Sequence, residues 1–176
     1  LWLPELLRNE ITIVLAAAFI ITAFVNAGNM ADGANGLLPI ISLAFFTCMY
    51  FDFGGHTGVF ALIMALSIFV VFNVATGKIF LGDFGSYGLS AALAMTALVV
   101  YGTGHYTMWL LASILSYPCV ELVRVFADRA IHRVSPMRAG NDHSHNYLYR
   151  MLRERGLGQV FANSMTGCAI AMGSAV

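Results

Sequence analysis

Hydrophobic residues occur in this chain as long runs, separated by short segments that collect most of the polar residues. Six such runs can be marked, at residues 11–27, 37–53, 57–73, 87–102, 106–123 and 158–176. Most of them approach the roughly 17 to 20 residues that an α-helix needs to cross the hydrocarbon core of a bilayer. The pattern therefore predicts an all-α fold, in which about six transmembrane helices form one bundle and a single domain.

The composition supports a membrane-embedded chain and narrows its partners. Hydrophobic residues make up 59% of the sequence and charged residues only 10%, whereas soluble domains carry about 25% charged residues. The formal net charge is zero, so the chain lacks the basic excess that nucleic-acid-binding domains show. We expect it to lie in a lipid bilayer and to have no nucleic acid among its partners.

The positive charges select an orientation in the membrane. If the predicted helices alternate in direction, segments 26–36, 74–86 and 124–157 share one side of the bilayer, and the other connections share the opposite side. Eight of the nine Lys and Arg residues fall in the first group: Lys78, Arg124, Arg129, Arg133, Arg138, Arg150, Arg153 and Arg155. The positive-inside rule places that group in the cytoplasm, where we expect an active site served by cytosolic substrates.

The first polar segment of this group reads NAGNMADGANGL and begins at Asn26. Asn26, Asn29 and Asp32 are spaced by three, so they lie on one side of a helix end, and Asn35 follows. A polar helix terminus, capped by its Asn and Asp residues, would account for this pattern. Four amide or carboxyl groups at a membrane boundary are nevertheless more than a turn requires, which favours a ligand site.

The second segment, KIFLGDFGS, places Asp83 between glycines at the edge of a predicted span. A carboxylate in such a position suits Mg²⁺, which takes one or two protein carboxylates and completes its shell with water and phosphate oxygens. The neighbouring glycines allow a bulky diphosphate to approach the backbone. An ordinary Gly-Asp turn next to a snorkelling Lys78 is the alternative interpretation.

The third segment contains Arg138 and the pair His143 and His145, within the loop that is rich in arginine. Two histidines supply too few ligands for a metal site of their own. Phosphate binding is the better hypothesis, with imidazoles as hydrogen-bond donors and arginine as a source of positive charge. The alternative is a basic loop that only fixes the topology.

Taken together, in this order and on one predicted face, the three segments resemble the polyprenyl-phosphate N-acetylhexosamine-1-phosphate transferases of glycosyltransferase family 4. The bacterial undecaprenyl-phosphate GlcNAc-1-phosphate transferase and the peptidoglycan translocase are members. NAGNMADGANGL is similar to the family's N-x-x-N-x-x-DG-x-[DN]-GL, and KIFLGDFGS to its KvFLGDxGS. The stretch from Tyr117-Pro118 to Glu121, followed by RVSP and HSH, is similar to the family's last large cytoplasmic loop.

The resemblance implies a Mg²⁺-dependent enzyme, with Mn²⁺ as an alternative ion, in the bacterial inner (plasma) membrane. It would transfer an N-acetylhexosamine-1-phosphate from a UDP-sugar to polyprenyl phosphate, release UMP and start a cell-envelope glycan such as O-antigen or teichoic acid. A homodimer is a further expectation. The implied catalytic residues are Asp32, Asp83 (the metal ligand), His143 and His145. The implied substrate-binding residues are Asn26, Asn29, Asn35, Phe80 (which would stack on uracil), Gly82, Ser86 and Arg138.

The sequence departs from the family pattern in four places. The third His of the loop is replaced by Asn146, an acid after the SP proline by Gly140, and the second Asp of the DGxDG pattern by Asn35. The adjacent Asp pair of the family's magnesium site does not occur in the sequence. We therefore expect this chain to be the C-terminal part of a longer enzyme and to be inactive alone.

Three other functions remain as alternatives. A transporter would need ionisable residues in the middle of its spans, where this chain has mostly Ala, Leu, Ile, Phe and Met. A membrane metallohydrolase would need an HExxH motif or a third ligand beside His143 and His145. A non-catalytic scaffold or degenerate half-enzyme agrees with the missing Asp pair.

Overall fold

A computed structural model describes residues 9–133, 135 and 143–175, and in these residues it contains helices and turns but no strand. The helices are α1 (Glu10–Ala31), α2 (Leu37–Asp52), α3 (Thr57–Thr76), α4 (Gly82–Gly102), α5 (Met108–Ile114), α6 (Ser116–Ile131), α7 (Ser144–Glu154) and α8 (Gln159–Ala175). Each of the six hydrophobic runs coincides with a helix or with a pair of helices. The predicted all-α bundle is therefore confirmed.

Three helices, α1, α3 and α4, are long and apolar enough to cross a membrane, and α5 and α6 together make a fourth candidate. Large apolar side chains of these helices point outward, among them Phe19, Ile68 and Val99, as expected for helices surrounded by lipid. The chain is thus a membrane protein. The number of six spans and the cytoplasmic position of the loops stay predictions.

The hydrophobic run at 106–123 is broken, in contrast to the single span predicted for it. α5 ends at Ile114, and α6 continues at an angle of 83°. Pro118 explains the break, because a proline lacks the N–H that would bond to the carbonyl four residues earlier, at Ile114, and its ring clashes with that carbonyl. α6 then runs on to Ile131, into the segment that was predicted to be a loop.

The fourth span begins earlier than predicted, at Gly82 and not at residue 87. Gly82 has a φ of +62°, a left-handed conformation that glycine adopts without steric cost, and the helix starts directly from it. Asp83 therefore lies in the first turn of α4, where a negative charge is stabilised by the helix dipole. Ser86 lies one turn further on.

The packing of the helices brings several helix ends to one end of the bundle. α1 packs against α4 and α6, while α2 packs against α3 and α8. The core between them contains fully buried side chains of α2 and α4, including Leu38, Phe45 and Leu93. The C-terminal ends of α1 and α3 consequently meet the N-terminal ends of α2, α4 and α8, and the polar segments of the sequence meet there as well.

Candidate active site

A polar cavity of about 250 Å³ lies where these helix ends meet. The loop after α1, the turn before α4 and the second turn of α8 contribute its walls. The lining residues are Asn29, Asp32, Gly33, Ala34, Asn35, Asn73, Phe80, Leu81, Gly82, Asp83 and Asn163. The structure therefore brings residues of the first polar segment (NAGNMADGANGL) and of the second (KIFLGDFGS) together, although about 50 residues separate them in sequence.

The two acids of the cavity influence each other. Asp83 is exposed and Asp32 is partly buried. Burial, together with the negative charge of Asp83, raises the pKa of Asp32 to about 7. Asn29 lies beside them and donates one hydrogen bond to the Ser86 hydroxyl (2.7 Å) and a longer one to Asp83 Oδ1 (3.5 Å). Asp32 is therefore partly protonated near neutral pH, and its carboxyl would have to lose that proton to hold a divalent cation.

These residues fit an ion such as Mg²⁺, which keeps several water ligands, better than a metal ion that is enclosed by three or more protein ligands. In the part of the chain that the structure describes, no group of three or more His, Cys, Asp or Glu residues is placed to hold a metal ion. Two carboxylates beside an amide, in a cavity with room for water and phosphate, are instead the donor set of an ion that keeps water and takes substrate oxygens as ligands. Asp83 and Asp32 are the residues that would hold it.

A framework of side-chain amides fixes the backbone around the cavity. Asn73, at the end of α3, accepts a hydrogen bond from the Gly36 N–H (2.6 Å) and donates one to the Ile79 carbonyl (2.6 Å). It thereby ties the loop after α1 to the turn that carries Phe80. Both bonds are short, and Asn73 is buried, so this connection is protected from competition by water.

α8 joins the same framework through two consecutive residues. Asn163 Oδ1 accepts a hydrogen bond from the Asn35 N–H (3.3 Å), and Asn35 Nδ2 donates to the Ser164 hydroxyl (3.1 Å). Ser164 in turn donates to the Val74 carbonyl (2.7 Å). Sequence analysis missed Asn163 as a cavity residue. The available signal was an Asn inside a predicted span, where an amide is costly unless it finds partners.

The two histidines of the third polar segment, His143 and His145, are not among the lining residues of the cavity, but His145 packs against Gly33 of its wall. His145 is 3% exposed, and its Nδ1 shares a hydrogen bond with the Tyr117 hydroxyl (3.0 Å). Its ring packs so tightly on Gly33 that a Cβ atom at residue 33 would overlap the imidazole. His143 precedes α7, and its ring stacks on that of His145 with centroids 5.3 Å apart. His145 is thus packed directly against the cavity wall.

The burial of His145 gives the folded protein a pH-dependent stability. Burial lowers the pKa of His145 to about 4, and the adjacent His143 contributes to the shift. In the unfolded chain the imidazole takes up a proton below about pH 6.5. Because the unfolded state binds this proton first, the free energy of unfolding falls as the pH decreases from 6.5 towards 4. We expect His145→Gln to reduce the loss of thermal stability in detergent between pH 7.5 and pH 5.

Other titrating groups contribute to the same pH range, so a control is needed. His56→Gln changes an exposed histidine in the turn before α3 and should retain the pH dependence of the unmodified protein. Equal losses of melting temperature in the unmodified protein and in both variants would contradict the assignment to His145.

The remaining predicted residues differ in their relation to the cavity. Phe80 and Gly82 line it, and the Phe80 ring is 66% exposed. Asn35 also lines the cavity, whereas Ser86 does not; both are buried and form hydrogen bonds with the residues around them. Asn26 is exposed, does not line the cavity and donates to the Thr22 carbonyl of its own helix (2.8 Å). Arg138 lies outside the described residues.

Comparison with known proteins adds independent information on ancestry. Residues 4–101, more than half of the chain, match the model of glycosyl transferase family 4. An undecaprenyl-phosphate alpha-N-acetylglucosaminyl 1-phosphate transferase of Thermotoga maritima is 31% identical over 130 residues, which are 73% of this chain and 40% of the relative. No solved structure gave a significant match.

Two further relatives are named phospho-N-acetylmuramoyl-pentapeptide-transferases. The protein from Clostridium acetobutylicum is 33% identical over 137 residues, which are 69% of this chain and 43% of the relative. The protein from Staphylococcus carnosus is 33% identical over 104 residues, which are 52% of this chain and 32% of the relative. The chain thus spans less than half the length of these relatives. On the family match and these identities, the chain belongs to glycosyl transferase family 4.

Proposed function

We propose that this chain forms part of an enzyme that transfers an N-acetylhexosamine-1-phosphate from a UDP-sugar to polyprenyl phosphate and releases UMP. The observation that carries the proposal is the meeting of Asp32, Asp83 and Phe80 in one polar cavity at the end of a membrane bundle. The named reactions of the relatives from Thermotoga and Clostridium, both sugar-phosphate transferases, support it.

The cavity residues divide the work of binding such a donor. Asp83 and Asp32 would hold Mg²⁺, which neutralises negative charge on the diphosphate when it is bound. The lining asparagines, among them Asn29 and Asn35, surround the same space with amide groups. The exposed ring of Phe80 offers a flat surface on which the uracil can stack. The residues thereby orient a nucleotide diphosphate at the edge of the membrane, where a lipid phosphate can reach it.

The proposed reaction is a substitution at the β-phosphorus of the donor. An oxygen of the polyprenyl phosphate forms a bond to this phosphorus, the bond to the oxygen of the UMP part breaks, and UMP leaves with that electron pair. Both reactants are anions, so the contribution of the protein is positioning and charge neutralisation. The same proposal includes a location and a pathway. The cavity would face the cytoplasm in the bacterial inner membrane, and the product would start O-antigen, teichoic acid or a related glycan.

The stacking role of Phe80 leads to a prediction about donor affinity. We expect Phe80→Ala to raise the KM for the UDP-sugar roughly 5- to 100-fold, because stacking of one base on an aromatic ring is worth about 1–3 kcal/mol. The value of kcat should change less, since the ring is remote from the bond that breaks. Steady-state UMP release at varied donor concentration measures both constants.

Phe84→Ala is the matched control for this variant. Phe84 lies four residues further on, is 96% exposed and does not line the cavity, so its replacement should leave the KM unchanged. Equal increases of KM in the two variants would refute a specific contact between Phe80 and the donor.

The function itself is tested with the protein expressed from its complete coding sequence, purified in detergent. UMP release is measured with undecaprenyl phosphate, Mg²⁺ and a panel of UDP-N-acetylhexosamines. Release that requires both the lipid and the ion would support the transferase and identify its sugar. Failure to release UMP from any donor, by a protein that is folded and binds lipid, would overturn the proposal in favour of a non-catalytic scaffold.

A further inference from the structure

A buried carboxylate lies outside the cavity and is fully surrounded by donors. The Glu121 side chain, on α6, is 2% exposed. Its two oxygens accept hydrogen bonds from Arg124 Nη2 (2.6 Å) and Nε (3.2 Å) and from the Ser144 N–H (3.1 Å) and hydroxyl (2.6 Å). A buried charge is costly unless it is paired and hydrogen-bonded in this way. These hydrogen bonds therefore offset the cost of removing the Glu121 carboxylate from water.

The third residue that contacts this carboxylate is His143. Its Nδ1 lies 3.2 Å from Glu121 Oε1. An ionised carboxylate only accepts hydrogen bonds, so the Nδ1 atom carries a hydrogen and the Nε2 atom is the ring nitrogen left for another partner. A carboxylate behind an imidazole fixes its tautomer and its orientation, as the aspartate does in serine-protease triads.

Three polar side chains of α6 form a stripe along one face of the helix, and two of them contact the histidines. Tyr117, Glu121 and Arg124 follow each other at spacings of four and three residues, so they share one face of the helix. Tyr117 holds His145 while Glu121 holds His143, and the two rings lie parallel within 8°. Since His145 packs on Gly33 of the cavity wall, the stripe sets the position of the whole pair relative to the cavity.

We propose that Glu121 is a positioning residue of the transfer reaction. It accepts the Nδ1–H of His143 and thereby leaves the lone pair of Nε2 to take up the proton of the lipid phosphate hydroxyl whose oxygen attacks the donor. This inference rests on the proposed function. Glu121 acts through the groups that it holds, because both of its oxygens are occupied by hydrogen bonds from Arg124, His143 and Ser144. Its removal should therefore reduce kcat and leave donor affinity nearly unchanged.

Kinetics of the enzyme from the complete coding sequence provide the first test. Glu121→Gln keeps the volume and one acceptor oxygen, and we expect it to lower kcat about 10- to 100-fold, as loss of an orienting partner does elsewhere. Its NH2 group meets donors that the carboxylate accepts from, so we also expect a lower melting temperature. Added to His143→Ala, Glu121→Gln should cause no further loss of kcat. Glu154→Gln, the same change at an exposed position of α7, is the control and should remain fully active.

Two kinetic outcomes would overturn the proposal. The first is a Glu121→Gln variant whose kcat equals that of the unmodified enzyme. The second is a double variant in which the losses of Glu121→Gln and His143→Ala multiply, because the glutamate would then act on the fold and not through the histidine.

A second readout does not depend on activity. In protein labelled with ¹⁵N-histidine, NMR distinguishes the two neutral tautomers, and His143→Gln identifies the His143 signals. We expect a hydrogen on Nδ1 in the unmodified protein and a shift towards the Nε2–H form in Glu121→Ala. An unchanged tautomer in this variant would overturn the positioning role, even in an active enzyme. A changed tautomer in a protein that releases no UMP would instead overturn the proposed transferase.

Discussion

The Asp83→Asn variant is expected to release UMP at least about 100-fold more slowly than the unmodified enzyme, at saturating concentrations of donor, lipid and Mg²⁺. Asparagine keeps the shape of the side chain but removes the charge that would hold the ion, and an ion that neutralises the transferring phosphate contributes several kcal/mol. Asp83 is exposed in the first turn of α4, so its replacement should not disturb folding. The melting temperature in detergent should remain within a few degrees.

The control for this experiment is Asp52→Asn. Asp52 ends α2 and lies at the opposite end of that helix from the cavity, where asparagine can retain the hydrogen bond to the Tyr106 hydroxyl. We expect normal UMP release from this variant. An Asp83→Asn enzyme with the activity of the Asp52→Asn control would remove Asp83 from the catalytic site and with it the proposed ion.

The second large effect, on stability and activity, is expected from Gly167→Ala, which adds one methyl group to α8. A Cβ atom at Gly167 would overlap the carbonyl oxygen of Asn35 and lie 3.1 Å from the Leu37 nitrogen. Both neighbours are backbone atoms that cannot rotate away, so Gly167→Ala must push α8 from the loop that carries Asn35. Overpacking of this kind costs about 1–3 kcal/mol, and we expect a melting temperature lower by at least about 5 °C together with a loss of activity.

The same helix offers its own control at Gly173. A Cβ atom there meets nothing within 4 Å, and alanine favours a helix over glycine by about 1 kcal/mol. Gly173→Ala should therefore leave stability unchanged or slightly increased. If both alanine variants have the melting temperature of the unmodified protein, α8 does not approach the Asn35 loop as closely as described.

The sequence was sufficient to predict the features that depend on local pattern. Runs of apolar residues determine which segments are helical in a membrane, and Pro118 alone explains the break that the hydropathy pattern did not show. Asp83 could be selected because a carboxylate between glycines at a membrane edge suits Mg²⁺, and Asp32 because it follows two asparagines at a spacing of three; the family resemblance implied the roles of both. Their meeting in one cavity follows from the packing of α1 against α4.

The features that were missed depend on contacts between distant segments. Asn163 is separated from its partner Asn35 by 128 residues, and no local spacing relates them. Glu121 appeared only as part of a family-like stretch, because a carboxylate in an apolar helix shows its purpose only when its partners are known. The early start of α4 was missed because the glycines around Asp83 suggested a turn, whereas Gly82 itself begins the helix.

The amide framework around the cavity has a consequence for the order in which ligands enter. Amides supply hydrogen bonds but no net charge, so Asp32 and Asp83 are the only charged groups among the described residues that line the cavity. Asp83, together with the ionised fraction of Asp32, makes the electrostatic potential in the cavity negative, so these two groups repel a nucleotide diphosphate. A cation reverses this sign, and by thermodynamic reciprocity a bound donor strengthens the binding of the cation as much as the cation strengthens that of the donor. The affinities for donor and cation would thus depend on each other, whereas the affinity for an uncharged nucleoside would change little with the cation concentration.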